Sequence, residues 1–127
     1  MPKSLQEAGT SAFTASAHDA ELLEPTAAAV RAAGSALIGR YGGVVRYETR
    51  EELMRALAAN DDVALGILRP LLTDLRPDAR WVEEELEGGA LPPGEWWVVD
   101  PAEGNVNHLH ALPDWAVTAT LVRDNQP

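Results

Sequence analysis

The sequence predicts an α+β fold, in which two or three helices pack on a mostly antiparallel sheet. Between roughly residues 25 and 75, apolar residues recur at every third or fourth position, the period of helices with one buried face. From residue 80 onward the apolar runs are short, rich in β-branched and aromatic residues, and separated by glycine and proline, which is typical of strands. Helices followed by strands favour a sheet with helices on one face.

Composition restricts the class of protein. The 127 residues suffice for one domain, and 20 acidic against 10 basic side chains give a net charge of −10. Such a chain repels phosphate backbones, which excludes a nucleic-acid-binding protein. It has no cysteine, no apolar run of the ~20 residues that a membrane helix needs, and no secretory signal. We therefore expect a cytoplasmic protein that does not bind membranes.

The first half predicts a tail and a set of helices. Residues 1–20 are small, polar and without periodicity, so we expect a flexible tail, followed by one domain over residues 21–127. A helix is predicted to begin near Pro25 and to end at Gly42–Gly43. Its apolar face comprises Val30, Ala33, Leu37, Ile38 and Tyr41.

A second helical region is predicted to begin at Thr49, which forms a capping box with Glu52. Asn60 and Asp61 are candidate caps of a further segment, and Pro70 is expected to kink or split the helix. The leucine stripe of this region is predicted to be core; it consists of Leu53, Leu57, Leu65, Leu68, Leu72 and Leu75.

The second half predicts strands over residues 80–86, 95–100 and 115–122, with a short strand at 44–47 as a further candidate. Pro101 is expected to end the strand that carries Asp100. Trp96 and Trp97 alternate across that strand, and Trp97 is the predicted core residue.

The candidate functional residues lie where the predicted strand 95–100 ends. Asp100 and Glu103 lie on one tight turn closed by Gly104, and the run "VEEEL" offers a third carboxylate. Oxygen ligands of this kind suit Mg²⁺, so the turn is a candidate magnesium site. The alternative is a capped turn with solvated acidic residues.

The same stretch resembles the metal-binding motif of the inositol monophosphatase family of Mg²⁺-dependent sugar and polyol phosphatases, W-[IV]-[IV]-D-P-[IL]-D-G-T-x-N-F-x-H-G-x-P. The resemblance covers most of residues 22–122 and implies the N-terminal half of that fold. "WVEEEL" at 81–86 is similar to the upstream motif of the family, which implies Glu84, Asp100 and Glu103 as metal ligands. The matching positions are Trp97, Val98, Val99, Asp100, Pro101, Gly104, Asn107, His110 and Pro113.

Several positions depart from the family pattern. Glu103 stands where the family has aspartate, and Asn105 replaces the threonine that helps to activate water. His108 replaces phenylalanine. Counting back from Pro77 places Asp61 at an upstream family aspartate. Family members are also about twice as long, and their second half supplies a further metal ligand and most substrate contacts, so the resemblance implies a truncated domain with a degenerate site.

Three functions remain open. The first is a scaffold or partner-association domain that has lost Mg²⁺-dependent phosphatase activity and forms a homodimer, or binds a partner protein, through the strand 115–122. The second is a residual Mg²⁺-dependent phosphomonoesterase completed by another subunit. The third is a small enzyme in the old cleft that binds a small molecule. His108 and His110, expected on one side of an extended segment, would then act with Asp100 and Glu103 in acid–base catalysis.

Overall fold

A computed structural model describes residues 17–42, 46–82 and 89–127, and it confirms the α+β class. Three helices and three strands follow one another in the order α1, α2, β1, β2, α3 and β3. Their bounds are Ala17–Gly39 for α1, Arg50–Leu75 for α2, Arg80–Trp81 for β1, Glu95–Glu103 for β2, Asn105–Leu109 for α3 and Ala116–Arg123 for β3.

The sheet is three-stranded, with β2 in the centre. The short strand β1 runs parallel to β2, and β3 runs antiparallel to it, from Glu95 opposite Arg123 to Asp100 opposite Thr118. The expectation that Pro101 ends β2 is wrong, because the strand continues to Glu103 through an irregularity between Asp100 and Glu103. A bulge accommodates a proline, since one residue there is left out of the ladder.

The core lies between α1, α2 and one face of the sheet. Trp97 lies in this core and is 1% exposed, as the sequence predicts. Alanines on both helices let the helices pack closely, and leucines fill the remaining space against the indole ring. The buried helix residues are Ala29, Ala33 and Leu37 on α1 and Ala64, Leu68 and Leu72 on α2. Ile38, predicted on the buried face, is instead 62% exposed.

Helix α1 begins earlier than predicted, at Ala17, and Pro25 lies within it. The last four residues of the predicted tail are therefore helical, and residues 1–16 lie outside the described part. The physical cause is a tertiary contact: Arg123 donates from Nη1 and Nη2 to the two carboxylate oxygens of Asp19, each at 2.9 Å. A bidentate pair of this kind holds the first turns of the helix against β3.

Helix α2 is one continuous helix, so the prediction that Asn60 and Asp61 begin a new segment is wrong. Of the two outcomes expected at Pro70, a kink or a split, the split does not occur. Buried residues at 64, 68 and 72 pack on the sheet on both sides of Pro70, which keeps the helix in one piece. Thr49 caps its first turn as predicted, accepting from the Glu52 N–H at 3.1 Å.

Two predicted strands are shorter than expected or only partly described. Of the strand 80–86, Arg80 and Trp81 are extended in β1, and residues 83–88, including Glu84, lie outside the described part. Of the candidate strand 44–47, residues 46 and 47 are described and are not in a strand. No helix in the described ranges combines the length and apolar character needed to cross a membrane.

Candidate functional site

The acidic turn lies at the bulge of β2, and the structure brings its two carboxylates together. Oδ1 of Asp100 accepts a hydrogen bond from the Ala102 N–H at 3.1 Å, which fixes the carboxylate beside the bulge. A hydrogen bond shared with Asp100, together with the negative charge of Asp100, raises the pKa of Glu103 above its ordinary value. The predicted pair Asp100 and Glu103 is therefore a pair of interacting carboxyl groups.

Asp61 adds a third acidic group from α2. Its pKa is raised, first by burial and then by the negative charges of Asp100 and Asp62. Asp61 is therefore close enough to Asp100 for their charges to interact. The residues Asp61, Asp100 and Glu103 are called the acidic cluster here. The signal for Asp61 in the sequence is its match to an upstream family aspartate, because its local pattern indicates only a helix cap.

Gly104 turns the chain from β2 into α3. Its φ of 71° lies in the left-handed region, and a Cβ built there would lie 2.3 Å from the backbone oxygen of Asp114. The side chain of Asn107 fastens the same loop by donating to that oxygen at 2.8 Å. Only glycine allows this close approach, which explains its presence without any role in chemistry.

Asn105, the first residue of α3, connects the acidic cluster to the helices. Its Nδ2 donates to the Leu57 carbonyl at 2.9 Å and to Oδ1 of Asp61 at 3.3 Å. Its Oδ1 accepts from Nδ2 of Asn60 at 2.8 Å. Asn105 stands where the resemblance implies a water-activating threonine. Its amide does not transfer protons, and both its oxygen and its nitrogen are already hydrogen-bonded.

His108 is buried, at 3% exposure, and both its ring nitrogens are engaged. Nε2 lies 2.7 Å from the Leu37 carbonyl oxygen, an acceptor, so it carries the proton and donates. Nδ1 then accepts from Nδ2 of Asn60 at 3.0 Å. The ring also contacts Trp115 edge-on, with centroids 4.9 Å apart. In this position the histidine joins α3 to α1 and α2.

His110 lies elsewhere, and the expectation that the two histidines share one side is wrong. Residues 105–109 form a helix, in which positions two apart point in nearly opposite directions. His110 is exposed, and its Nδ1 lies 2.8 Å from the Val106 carbonyl oxygen. It lines an open pocket of about 530 Å³ with residues of the segment before α2 and of the first turn of α2, namely Arg46, Tyr47, Glu48, Thr49, Arg50 and Leu53.

The described residues do not form a complete metal site. Within residues 17–42, 46–82 and 89–127, no three histidine, aspartate or glutamate side chains are grouped so that they could share a metal ion. Glu84, the remaining predicted ligand, lies outside these ranges. The donor set is chemically suitable for Mg²⁺, since it consists of carboxylates, but its described geometry does not fit one.

The fold of the described residues is an inositol-monophosphatase-like fold. Inositol-1-monophosphatase of Caulobacter vibrioides is 31% identical over 102 residues, which are 77% of this chain and 39% of that protein. Histidinol-phosphatase of Mycobacterium tuberculosis is 30% identical over 89 residues, or 69% of this chain and 34% of that protein. No protein-family model matches the sequence.

Solved structures agree on the fold. The extragenic suppressor protein suhB from Bartonella henselae superposes with a TM-score of 0.61 and 24% identity, over 83% of this chain and 40% of that one. Inositol monophosphatase from Anabaena gives a TM-score of 0.57 and 20% identity, over 82% of this chain and 34% of that one. The chain thus spans between a third and two-fifths of the length of these relatives.

Proposed function

We propose that this chain is a self-associating domain with an inositol-monophosphatase-like fold, and that it does not hydrolyse phosphate monoesters on its own. The observation that carries the proposal is the uncovered side of the sheet. Val117, Ala119 and Leu121 of β3 pack against the helical core. The alternating residues Thr118 and Thr120 are exposed on the opposite face, where no described element covers them within residues 17–42, 46–82 and 89–127.

This uncovered face has the character of a contact surface. Val98 of β2 is 37% exposed on it. Trp96 lies on the same face, with the guanidinium of Arg80 over its ring at 5.4 Å and its Nε1 donating to the Pro92 carbonyl at 2.9 Å. Its aromatic side chain is typical of surfaces that a second protein buries. Among the described residues, the charged ones of this face are Arg80, Asp100 and Glu103, which lie on β1 and β2 and not on β3.

The acidic cluster supports the second half of the proposal. Phosphate monoester hydrolysis at such a site requires a group that activates the attacking water. Asn105 stands at the threonine position and cannot accept a proton, while both ring nitrogens of His108 are occupied. The matched relatives are more than twice as long, and this chain spans 39% of one and 40% of another.

Sedimentation of the purified chain between about 1 and 100 μM tests self-association, since weak dimers form in this range. We expect a concentration-dependent shift from monomer to dimer. Thr118→Lys should abolish it, because it places a charge on the uncovered face. The matched control, Thr73→Lys, makes the same change at an exposed position of α2 and should leave the shift intact. A folded monomer at every concentration would contradict the proposal.

A phosphatase assay tests the second half of the proposal, that the chain does not hydrolyse phosphate monoesters on its own. We expect the chain to release no phosphate from a phosphate monoester with Mg²⁺ present, at any protein concentration at which it is dimeric. Turnover that survives in wild-type protein and disappears in Asp100→Asn would show that the acidic cluster is a working phosphatase site and would overturn this part of the proposal.

A second candidate function is retention of a divalent cation at the acidic cluster, which requires a further ligand; the family resemblance implies Glu84, which lies outside the described residues. The pKa of Asp61 is raised first by burial and then by the negative charge of Asp100, and the pKa of Glu103 is raised by a hydrogen bond to Asp100 and by its charge. A bound cation would relieve the repulsion between these groups. Calorimetric titration with Mg²⁺ tests it, with Asp100→Asn as the disabled variant and Asp78→Asn, at an exposed position, as the control. Binding that is lost only in Asp100→Asn would support this candidate.

A further inference from the structure

The outer edge of β3, the edge away from β2, presents unpaired backbone groups in a defined pattern. Arg123 directs both its N–H and its carbonyl outward, since they bond to Gln126 at 2.8 and 2.9 Å. The N–H of Asp124 points the other way, to the Gly94 carbonyl beside β2. In an antiparallel ladder these directions alternate, so Val117, Ala119 and Leu121 also direct their N–H and carbonyl groups outward.

A tight turn occupies only the last position of this edge. Asp124 and Asn125 have φ values of 49° and 64°, and positive φ at both central residues is the geometry of a type I′ hairpin turn. The turn brings Gln126 opposite Arg123 as an isolated bridge. The positions opposite 116–121 are not occupied by any strand of the described ranges.

The edge lacks the features by which proteins prevent strands from pairing. Residues 116–122 contain no charged residue and no proline, and β3 is regular over residues 118–123, where it pairs with β2. The chain as a whole carries a charge of −10, which opposes close contact between copies at most surfaces. A neutral strand allows two copies to approach without placing like charges opposite each other.

We propose that two copies of this chain pair through β3, antiparallel and edge to edge, so that their sheets join into one continuous six-stranded sheet. This inference rests on the proposed self-association and places the contact at the outer edge of β3, beside the uncovered face, and not on the face itself. Because Gln126 blocks the position opposite Arg123, the partner strand must pair with residues 116–121.

Symmetry and the outward groups then fix the register. A two-fold axis at Thr118 pairs Val117 with Ala119 of the partner subunit, and the reverse, through four backbone hydrogen bonds. Thr118 then faces Thr118 of the partner subunit as a non-hydrogen-bonded pair on the uncovered face, and opposed threonines are a favourable cross-strand pair. A two-fold axis at Ala119 would instead extend the pairing as far as Val122. The partner strand would then lie beside the turn that holds Gln126 opposite Arg123.

Single cysteines test this register, because the chain has none of its own. In the proposed dimer, Thr118→Cys places two thiols at the short Cα separation of a non-hydrogen-bonded pair, within reach of a disulfide. We expect oxidation to convert most of this variant into a covalent dimer on a non-reducing gel. Thr120→Cys, on the same face two residues away, should crosslink at least tenfold more slowly, as should Thr73→Cys on α2.

Ala119→Pro tests the edge in a second way. The backbone N–H of Ala119 points outward, away from β2. Proline at this position therefore removes a donor from the outer edge and leaves the hydrogen bonds between β3 and β2 intact. We expect a folded monomer, verified by circular dichroism. If Ala119→Pro still dimerises and Thr118→Cys does not crosslink, pairing through β3 is wrong although self-association stands. If wild-type protein is monomeric up to about 100 μM, the self-association itself is wrong.

Discussion

Asn60 of α2 donates a hydrogen bond from Nδ2 to Nδ1 of the buried His108, across 3.0 Å. The same amide donates to Asn105, and its Oδ1 accepts from Nε of Arg40 at 2.9 Å. With the Leu37 carbonyl on the other ring nitrogen, this network joins all three helices through polar contacts. Each of the buried side-chain polar groups in this network has a hydrogen-bond partner. This is the condition under which such a network stabilises a fold.

Replacement of His108 should therefore destabilise the protein strongly. His108→Ala removes one hydrogen-bond partner from the Leu37 carbonyl and one from the Asn60 amide, and it opens a cavity beside Trp115, so we expect a loss of about 3 kcal/mol in the free energy of unfolding. His110→Ala, at an exposed position, is the control and should cost less than about 1 kcal/mol. Urea denaturation measures both. Equal losses would show that the network contributes little.

Two glycines should respond in opposite directions to alanine. Gly104→Ala forces a Cβ against the Asp114 carbonyl at a positive φ, so we expect a loss of more than about 2 kcal/mol. Gly66→Ala, in the exposed part of α2 with no atom within 4 Å, should stabilise by about 0.5–1 kcal/mol. Thermal melts of the two variants give the comparison. A tolerated Gly104→Ala would mean that the turn before α3 can rearrange.

Acid should weaken the ion cluster that joins the helices to the sheet. Glu95 accepts hydrogen bonds from Arg76 and from Arg123, the latter at 2.7 Å, and these hold its pKa below its ordinary value. A depressed pKa in the folded state gives stability that is present above the unfolded pKa and is lost as pH falls through the folded one. Glu95→Gln should remove this contribution and flatten the fall in stability below about pH 4.5.

Stability measured from pH 7 down to pH 3 in both proteins tests the role of Glu95. Arg31 and Glu24 form an exposed ion pair on α1, so Glu24→Gln is a matched control and should leave the pH profile unchanged. If Glu95→Gln and wild-type protein lose stability in parallel, another group controls the acid response.

The acidic cluster should have the opposite pH dependence. The pKa values of Asp61 and Glu103 are raised, so these groups contribute stability that is present at low pH and lost as pH rises through their folded pKa. Asp100→Asn keeps the acceptor of the Ala102 N–H and removes the charge, and we expect it to raise the melting temperature at pH 7.

The gain in Asp100→Asn should shrink at a second, acidic pH, where Asp61 and Glu103 of the wild-type protein take up protons because their pKa values are raised. Differential scanning calorimetry at the two pH values measures this difference. A melting temperature that falls at pH 7 would show that Asp100 is stabilising in the native protein, as a ligand of a bound cation would be.

Much of the architecture could be predicted from local pattern. The helical period, the Thr49 capping box and the β-branched run at 115–122 each reflect a preference that operates within a few residues, and α1, α2 and β3 follow them. The same logic failed at Asn60, which has the residue type of a helix cap. Its partners lie 45 and 48 positions away, so no local rule contains them.

The candidate site could likewise be predicted only in part from the sequence. The turn with Asp100 and Glu103 could be found in the sequence because both residues lie in one short segment, and the family resemblance marked it. The pairing of His108 and His110 was predicted from an extended segment and failed because Gly104 turns the chain into a short helix. Tertiary packing then buried one ring and left the other in an open pocket.

The sequence by itself determined the α+β class, the similarity to inositol monophosphatases and the position of the acidic turn, because each is expressed in nearby residues. The tertiary structure decided how far α1 extends, through Arg123 and Asp19, and which carboxylates meet at the cluster. It also decided that His108 is buried and joins the helices, while His110 is exposed. These outcomes depend on contacts between distant segments, whose energies arise only once the chain has folded.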